Sequence, residues 1–274
     1  MKNLLLLVGI VLSSGCFAQT TIEDAKSTWS ESVDTMSQET KQLMVNLLEY
    51  TMTSAIDSMV NEGMYTKALE MLDTMQANWK KITGMDFSER MYLTKGNLLQ
   101  HLEEWEDLAA MIQECTTVHK ESLDERIAPI LYSLQGNAYR NLEKYRQAIG
   151  AYESSSFYYK KKGDIGSQGD IFCSMALCYT KLEKYSMATS FYEKGLQKFL
   201  EYFETSRASL LRSELKVKDE YKQTLLGVFG CHLYNMALFQ QDYGTRDAMR
   251  EYLLMSAHCG HDGAKSEYKR IFRY

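Results

Sequence analysis

The sequence predicts an all-α fold, a solenoid of antiparallel helical hairpins, and three observations carry that prediction. Tyr65, Trp105, Tyr145 and Tyr185 stand 40 residues apart, and the last three close near-copies of one tetrapeptide: Leu102-Glu-Glu-Trp, Leu142-Glu-Lys-Tyr and Leu182-Glu-Lys-Tyr. A fixed period of this size marks a chain of stacked supersecondary units. Between the copies, apolar residues recur at three- and four-residue spacing, as on helices buried along one face. Finally, proline occurs once, at Pro129, while Leu, Met, Ala, Glu and Lys are abundant and alternating β-branched runs are missing. That composition favours helix throughout.

The chain opens on a secretory signal peptide, residues 1–18. Lys2 precedes an apolar run from Leu4 to Leu12, followed by the small-residue stretch Ser13-Ser-Gly-Cys-Phe-Ala18, the charged start, short apolar centre and cut site of an export signal. The run is too short to span a bilayer. Two processing routes are open. Cleavage after Ala18 frees a soluble protein beginning at Gln19, which is the first reading. Cleavage before Cys16 leaves a cysteine able to carry lipid, and Ser-Ser-Gly-Cys resembles a bacterial lipobox whose leucine lies one place too far upstream. Either route implies export, to the bacterial periplasm or medium in the first case and to the outer membrane in the second.

Residues 19–46 form an N-terminal lead-in segment expected to be helical, polar from Thr20 to Ser37, and one long helix is expected over Gln38 to Asn61 before a turn at Glu62-Gly63. Four hairpins then occupy 47–200. In the third, the first helix carries Leu131, Tyr132, Ala138, Tyr139 and Leu142; in the fourth, Ile171, Phe172, Cys178, Tyr179 and Leu182. The second helix starts at the aromatic, with Ala148, Ile149 and Tyr152, then Ala188, Phe191 and Tyr192. Small residues recur where two backbones must approach: Gly96, Gly136 and Ala176 in the first helices, Ala68, Ala148 and Ala188 in the second. A bulky side chain there would force the helices apart in an interior that packs too densely to absorb it. Beyond Tyr185 the period breaks. Residues 201–274 are expected to hold long helices, one over Gly195 to Lys218 and one over Glu220 to Gln241, then a capping unit with Ala248, Tyr252, Leu253, Ala257, Gly260 and Ala264.

This pattern resembles the tetratricopeptide repeat family. The resemblance rests on Gly136-Asn-Ala-Tyr139, Tyr145, Ala148 and Tyr152, and on Ala176, Tyr179, Tyr185, Ala188 and Tyr192. A weaker copy runs through Gly96, Leu99, Trp105, Leu108 and Ile112, and the first unit keeps mainly its second half, Glu62 to Ala68 with Leu72. The family's usual period is about 34 residues; the 40 here resembles its long-helix variants, and the final alanine–glycine spacing resembles a Sel1-like unit. The resemblance implies a superhelix whose first helices line a concave groove that binds another protein or a peptide. It places Asn97 and Asn137 where an amide can hold a ligand backbone. Arg90, His101, Arg140, Asn141 and Lys181 fall at neighbouring inward-facing positions. An amide offers donor and acceptor together, and Arg or Lys favours carboxylates. The carboxylate clamp of chaperone-binding members is not reproduced: Leu93, Asp170 and Ser174 stand where its basic residues belong.

No catalytic constellation stands out, and the expected function is non-enzymatic, with no cofactor. The net charge of −5 is spread along the chain and gives no basic face for nucleic acid. His258-Cys-Gly-His261 is the one tight cluster of metal-ligand types, short of the four ligands of a zinc site; a capping turn is the expectation and a metal module the minor alternative. Gly163-Asp-Ile-Gly-Ser-Gln-Gly169 lacks the strand and lysine of a phosphate loop and reads as an inter-repeat turn. Tyr158-Tyr-Lys-Lys-Lys162 ends a helix with charges that suit its dipole. Cys115, Cys173, Cys178, Cys231 and Cys259 are an odd set after Cys16, expected as free core residues.

Overall fold

The computed structural model describes residues 37–272. The signal peptide, Cys16 and the lead-in residues up to 36 lie outside the described residues. The twelve helices found there are α1 Gln38–Asn61, α2 Tyr65–Thr83, α3 Glu89–His101, α4 Trp105–Val118, α5 Ala128–Asn141, α6 Tyr145–Lys162, α7 Ile165–Lys181, α8 Tyr185–Tyr202, α9 Arg207–Leu210, α10 Glu220–Tyr243, α11 Arg246–His258 and α12 Asp262–Phe272. No strand occurs among the described residues. Two compact units divide the chain, one ending at Ile127 and one beginning at Ala128. The first holds α1 to α4, in which α1 pairs with α2 and α3 with α4; in the second, α5 pairs with α6, α7 with α8, and α10 with α11.

The repeated tetrapeptide is a helix stop. Its second residue, Glu103, Glu143 or Glu183, has φ 59° in every copy, the left-handed conformation that closes a helix with a 6→1 and a 5→2 hydrogen bond. In α5 the Lys144 amide reaches the Tyr139 carbonyl at 2.8 Å and the Glu143 amide that of Arg140 at 3.1 Å; Lys184 to Tyr179 and Glu104 to Leu99 repeat the longer bond at 2.9 Å. Gly63, with φ 75°, holds the same place at the end of α1. Each bond satisfies a carbonyl that the helix end leaves without a partner. The aromatic two residues on then starts the return helix.

In the first unit Trp79, Tyr92, Leu72, Leu108 and Ile112 are buried between the hairpins. Edge-to-face contacts link Trp79 to Phe87 and Phe87 to Tyr92, with ring centroids 5.9 and 5.1 Å apart, a favourable aromatic geometry. In the second unit the small residues do what their spacing predicts. A Cβ on Gly136 would lie 2.4 Å from the Tyr152 ring; Gly195, which is not one of the repeated small positions, makes a comparable approach, its Cβ 2.3 Å from Cys173 Sγ.

The expected helix over 195–218 does not form. Instead α8 stops at Tyr202, Glu204 turns into the left-handed region at φ 49°, and the Thr205 amide bonds the Leu200 carbonyl at 3.0 Å. Ser206 then caps the four-residue α9 through the Ser209 amide. The apolar spacing across 196–215 was helical, but Thr205-Ser206 competes with the helix through side-chain capping. The segment folds back, so that Leu210 is buried and the Leu215 amide bonds the His258 carbonyl at 3.1 Å.

Candidate functional site

In the first unit the resemblance selects α3. Ser88 caps it, its Oγ accepting from the Met91 amide. Met91, Tyr92, Gly96, Leu98 and Leu99 are buried, which leaves Arg90, Thr94, Asn97 and His101 on the opposite side. Steps of four, three and four put these residues on one stripe. Arg90 and Asn97 are exposed. The stripe ends in a packing contact, because the His101 ring lies against Tyr65 with centroids 3.8 Å apart. Tyr65 opens α2, so His101 seals the junction between successive hairpins. Lys95, at the edge of the stripe, is taken by Asp73 at 2.7 Å and by Gln76.

Arg90 also borders a hollow of about 340 Å³ that includes Glu49, Ser88, Glu89, His119 and Asp124. Partial burial raises the Glu49 carboxyl above its ordinary range, against the pull of the Ser88 hydroxyl and the Arg90 charge. Glu89 accepts the Asp124 amide at 2.9 Å and lies 3.7 Å from His119 Nδ1. His119 Nε2 donates to the Phe87 carbonyl at 2.8 Å. Arg126 is occupied by Asp124 at 2.7 Å. The hollow therefore combines acidic walls with two exposed guanidinium groups, of which Arg126 is paired with Asp124. Glu49 and His119 carry no mark in the sequence, since His119 lies past the repeated positions and Glu49 in the unit whose first half departs from the pattern.

In the second unit the selected residues are partly occupied. Asn137 Oδ1 accepts the Tyr152 hydroxyl at 2.8 Å, tying α5 to α6. Asn141 Nδ2 donates to the Asn137 carbonyl at 2.9 Å within α5. Arg140 is half-buried; burial pushes the Tyr152 phenol up while the guanidinium pulls it down. Lys181 is exposed in the last turn of α7, where its charge favours the helix dipole. The residues standing where a carboxylate clamp would be basic are structural: Asp170 accepts His232 Nε2 of α10 at 2.7 Å, and Ser174 is buried.

The remaining sequence candidates also have packing roles. His258 Nδ1 donates to the Leu210 carbonyl. His261 Nδ1 accepts the Ala264 amide at 3.0 Å, and its ring stacks on Tyr234. Among the described residues no group of three His, Cys, Asp or Glu side chains is placed to hold a metal. All five described cysteines are free, and four are buried while Cys231 is exposed. Burial pushes the thiols of Cys115 and Cys259 up to about 12 and that of Cys178 up to about 11. In the 163–169 stretch, Gly163 ends α6 at φ 70° and Asp164 caps α7 through the Ser167 amide at 3.0 Å. No described helix is long and apolar enough to cross a membrane.

No protein-family model and no curated protein matches this chain. Solved structures do. A crystal structure of MamA is similar at a TM-score of 0.51 and 15% identity, over 77% of this chain and 96% of that one. A second MamA structure covers 73% of this chain and 97% of its own, with 18% identity and a TM-score of 0.44. At this identity the first likeness speaks for fold alone, and it agrees with the hairpin pairing: the chain is an all-α, tetratricopeptide-like solenoid of antiparallel helical hairpins.

Proposed function

We propose that this chain is a non-enzymatic adaptor or scaffold that binds another protein or an extended peptide, with α3 as the principal contact helix of its first unit. The observation that carries this reading is the α3 stripe. Arg90 and Asn97 stand exposed on the face opposite the buried Met91, Tyr92, Leu98 and Leu99, offering a guanidinium and an amide along one line. That pairing suits a peptide backbone flanked by carboxylates. On the same reading the 40-residue units are a long-helix form of the repeat, and α11 with α12 is its Sel1-like terminal unit. Lys181 would serve as a peripheral contact in the second unit, whereas Asn137 serves the hairpin first. Export through residues 1–18 to the periplasm or cell envelope completes the proposal. Lipidation at Cys16, which would make the protein an envelope component, is its alternative.

A photo-crosslinking residue at position 97, introduced in the producing cell, tests the binding face. The expected outcome is a discrete adduct that Arg90→Ala weakens. Adducts obtained equally well from a control position on α4 such as Gln113, and indifferent to Arg90→Ala, would discard α3 as the contact helix. Intact mass of the exported protein decides between the two forms: a chain starting at Gln19 supports the soluble one, and a diacylglycerol adduct on Cys16 the anchored one.

A further inference from the structure

Helix α1 carries an apolar stripe that no described helix covers. Leu43 is 70% exposed, Leu47 44% and Tyr50 67%. Steps of four, three, four and four continue the line through Ser54 to Ser58, all on one face. Its other face is spent in the core, with Val45, Leu48, Met52 and Ile56 buried. The two halves of the exposed line differ in relief. The N-terminal half projects two leucines, whereas the C-terminal half is a hollow of about 510 Å³ that includes Tyr50, Ser54, Ala55, Ser58 and Met59. Projections and hollow lie at equal distances from the point between Tyr50 and Thr51.

We propose that this face binds a second copy of the chain, with the two α1 helices antiparallel about a two-fold axis through that point. Such a contact is isologous, so each residue meets the one equally far beyond the axis. Leu43 then meets Ser58 of the second copy, Leu47 meets its Ser54, and Tyr50 meets its Thr51. Each leucine enters the space that a small residue leaves, and the axis repeats the fit on the other side. A lone helix pair of this length, about 36 Å, buries less than the roughly 1,600 Å² of a standard stable interface. The dimer is accordingly weak, the more so because the same register sets the exposed Glu39 opposite Glu62 of the second copy at each end.

Sedimentation velocity of the full chain over a wide concentration range tests the pairing. The wild type is expected to pass from monomer to dimer. Leu47→Ser removes the projection and Ser54→Leu fills the hollow, and each is expected to weaken the dimer about tenfold or more, the scale on which removing a buried leucine side chain acts. The double variant L47S/S54L exchanges projection and hollow and is expected to recover most of the loss. Circular dichroism on each variant controls for folding. A wild type that stays monomeric throughout overturns the proposal, whether the face is covered by residues before Ser37 or by a different protein. So does a dimer indifferent to Leu47→Ser, or a double variant as weak as the single ones.

Discussion

Glu103, Glu143 and Glu183 stand at φ 59°, whereas the equivalent position in the first copy is Gly63 at φ 75°. An L-residue in the left-handed region costs about 1–2 kcal/mol through its Cβ. Glycine avoids that cost but adds about 0.4–1 kcal/mol of unfolded-state entropy. The difference predicts that each Glu→Gly change stabilises by roughly 0.5–1 kcal/mol. Glu143→Gly with Glu183→Gly, both in the second unit, should then gain about 1–2 kcal/mol, because distant sites add. For units of this size that is a rise of a few degrees in Tm, about 2–8 °C. The first copy supplies the reverse experiment. A Cβ on Gly63 meets nothing within 4 Å, so Gly63→Glu changes backbone conformation and no packing, and should cost about what the other changes gain. Urea and thermal unfolding followed by circular dichroism measure both. If Glu143→Gly destabilises while Gly63→Glu is neutral, backbone strain is not what distinguishes these turns, and the explanation given for the repeated tetrapeptide is wrong.

Gly136→Ala drives a methyl into the Tyr152 ring and strains the Tyr152–Asn137 bond with it; a loss of about 1–3 kcal/mol is expected, where an ordinary helical Gly→Ala would gain stability. Asp170→Ala leaves His232, already lacking a partner at Nδ1, without one at Nε2, which predicts a loss of about 1–3 kcal/mol that Asp170→Asn, keeping an acceptor oxygen, largely recovers. The buried thiols predict an alkaline weakness. Cys115 is held up to about 12 from an ordinary 9.0, so the unfolded chain releases its proton first, and the contribution is intact below about pH 9 and lost as pH rises towards 12. Urea midpoints for Cys115→Ala should fall less steeply across that window than those of wild type. An equal slope would remove the thiol from the explanation.

Where the sequence was legible, periodicity made it so. Helix bounds such as Gln38–Asn61 and Tyr145–Lys162 emerge as their apolar spacing predicts, because burial on one face leaves a repeat that any stretch of chain displays. The helix expected over 195–218 fails for the complementary reason. Its apolar residues keep helical spacing, yet Phe203 and Leu210 bury themselves on either side of a reversal fixed by Glu204 and Ser206, and no periodic signal encodes a reversal. The site was harder to read. Asn137 looks like a groove amide by position, but its oxygen is spent on Tyr152, a contact 15 residues away. Glu49 gains its altered carboxyl from burial beside Ser88 and Arg90, neighbours that only the packing of α1 on the head of α3 assembles.

The repeated aromatic itself has a further consequence for where binding can occur. Tyr65 lies on His101 at 3.8 Å in the first unit, and Tyr185 on Tyr243 at 4.0 Å in the second. In both, the residue that opens a return helix packs on the last turn of the first helix of the following hairpin. These two contacts hold their hairpins in register, so the final turns of α3 and α10 are committed to structure whatever polar residues they display. A ligand on α3 must therefore engage further back along the helix. On α3 that leaves Arg90, Thr94 and Asn97. His101→Ala should lower stability by about 0.5–1.5 kcal/mol, the usual value of an aromatic pair, and leave partner capture intact, whereas Arg90→Ala should reduce capture with stability unchanged. Capture lost with His101 and retained without Arg90 would move the binding face to the hairpin junctions.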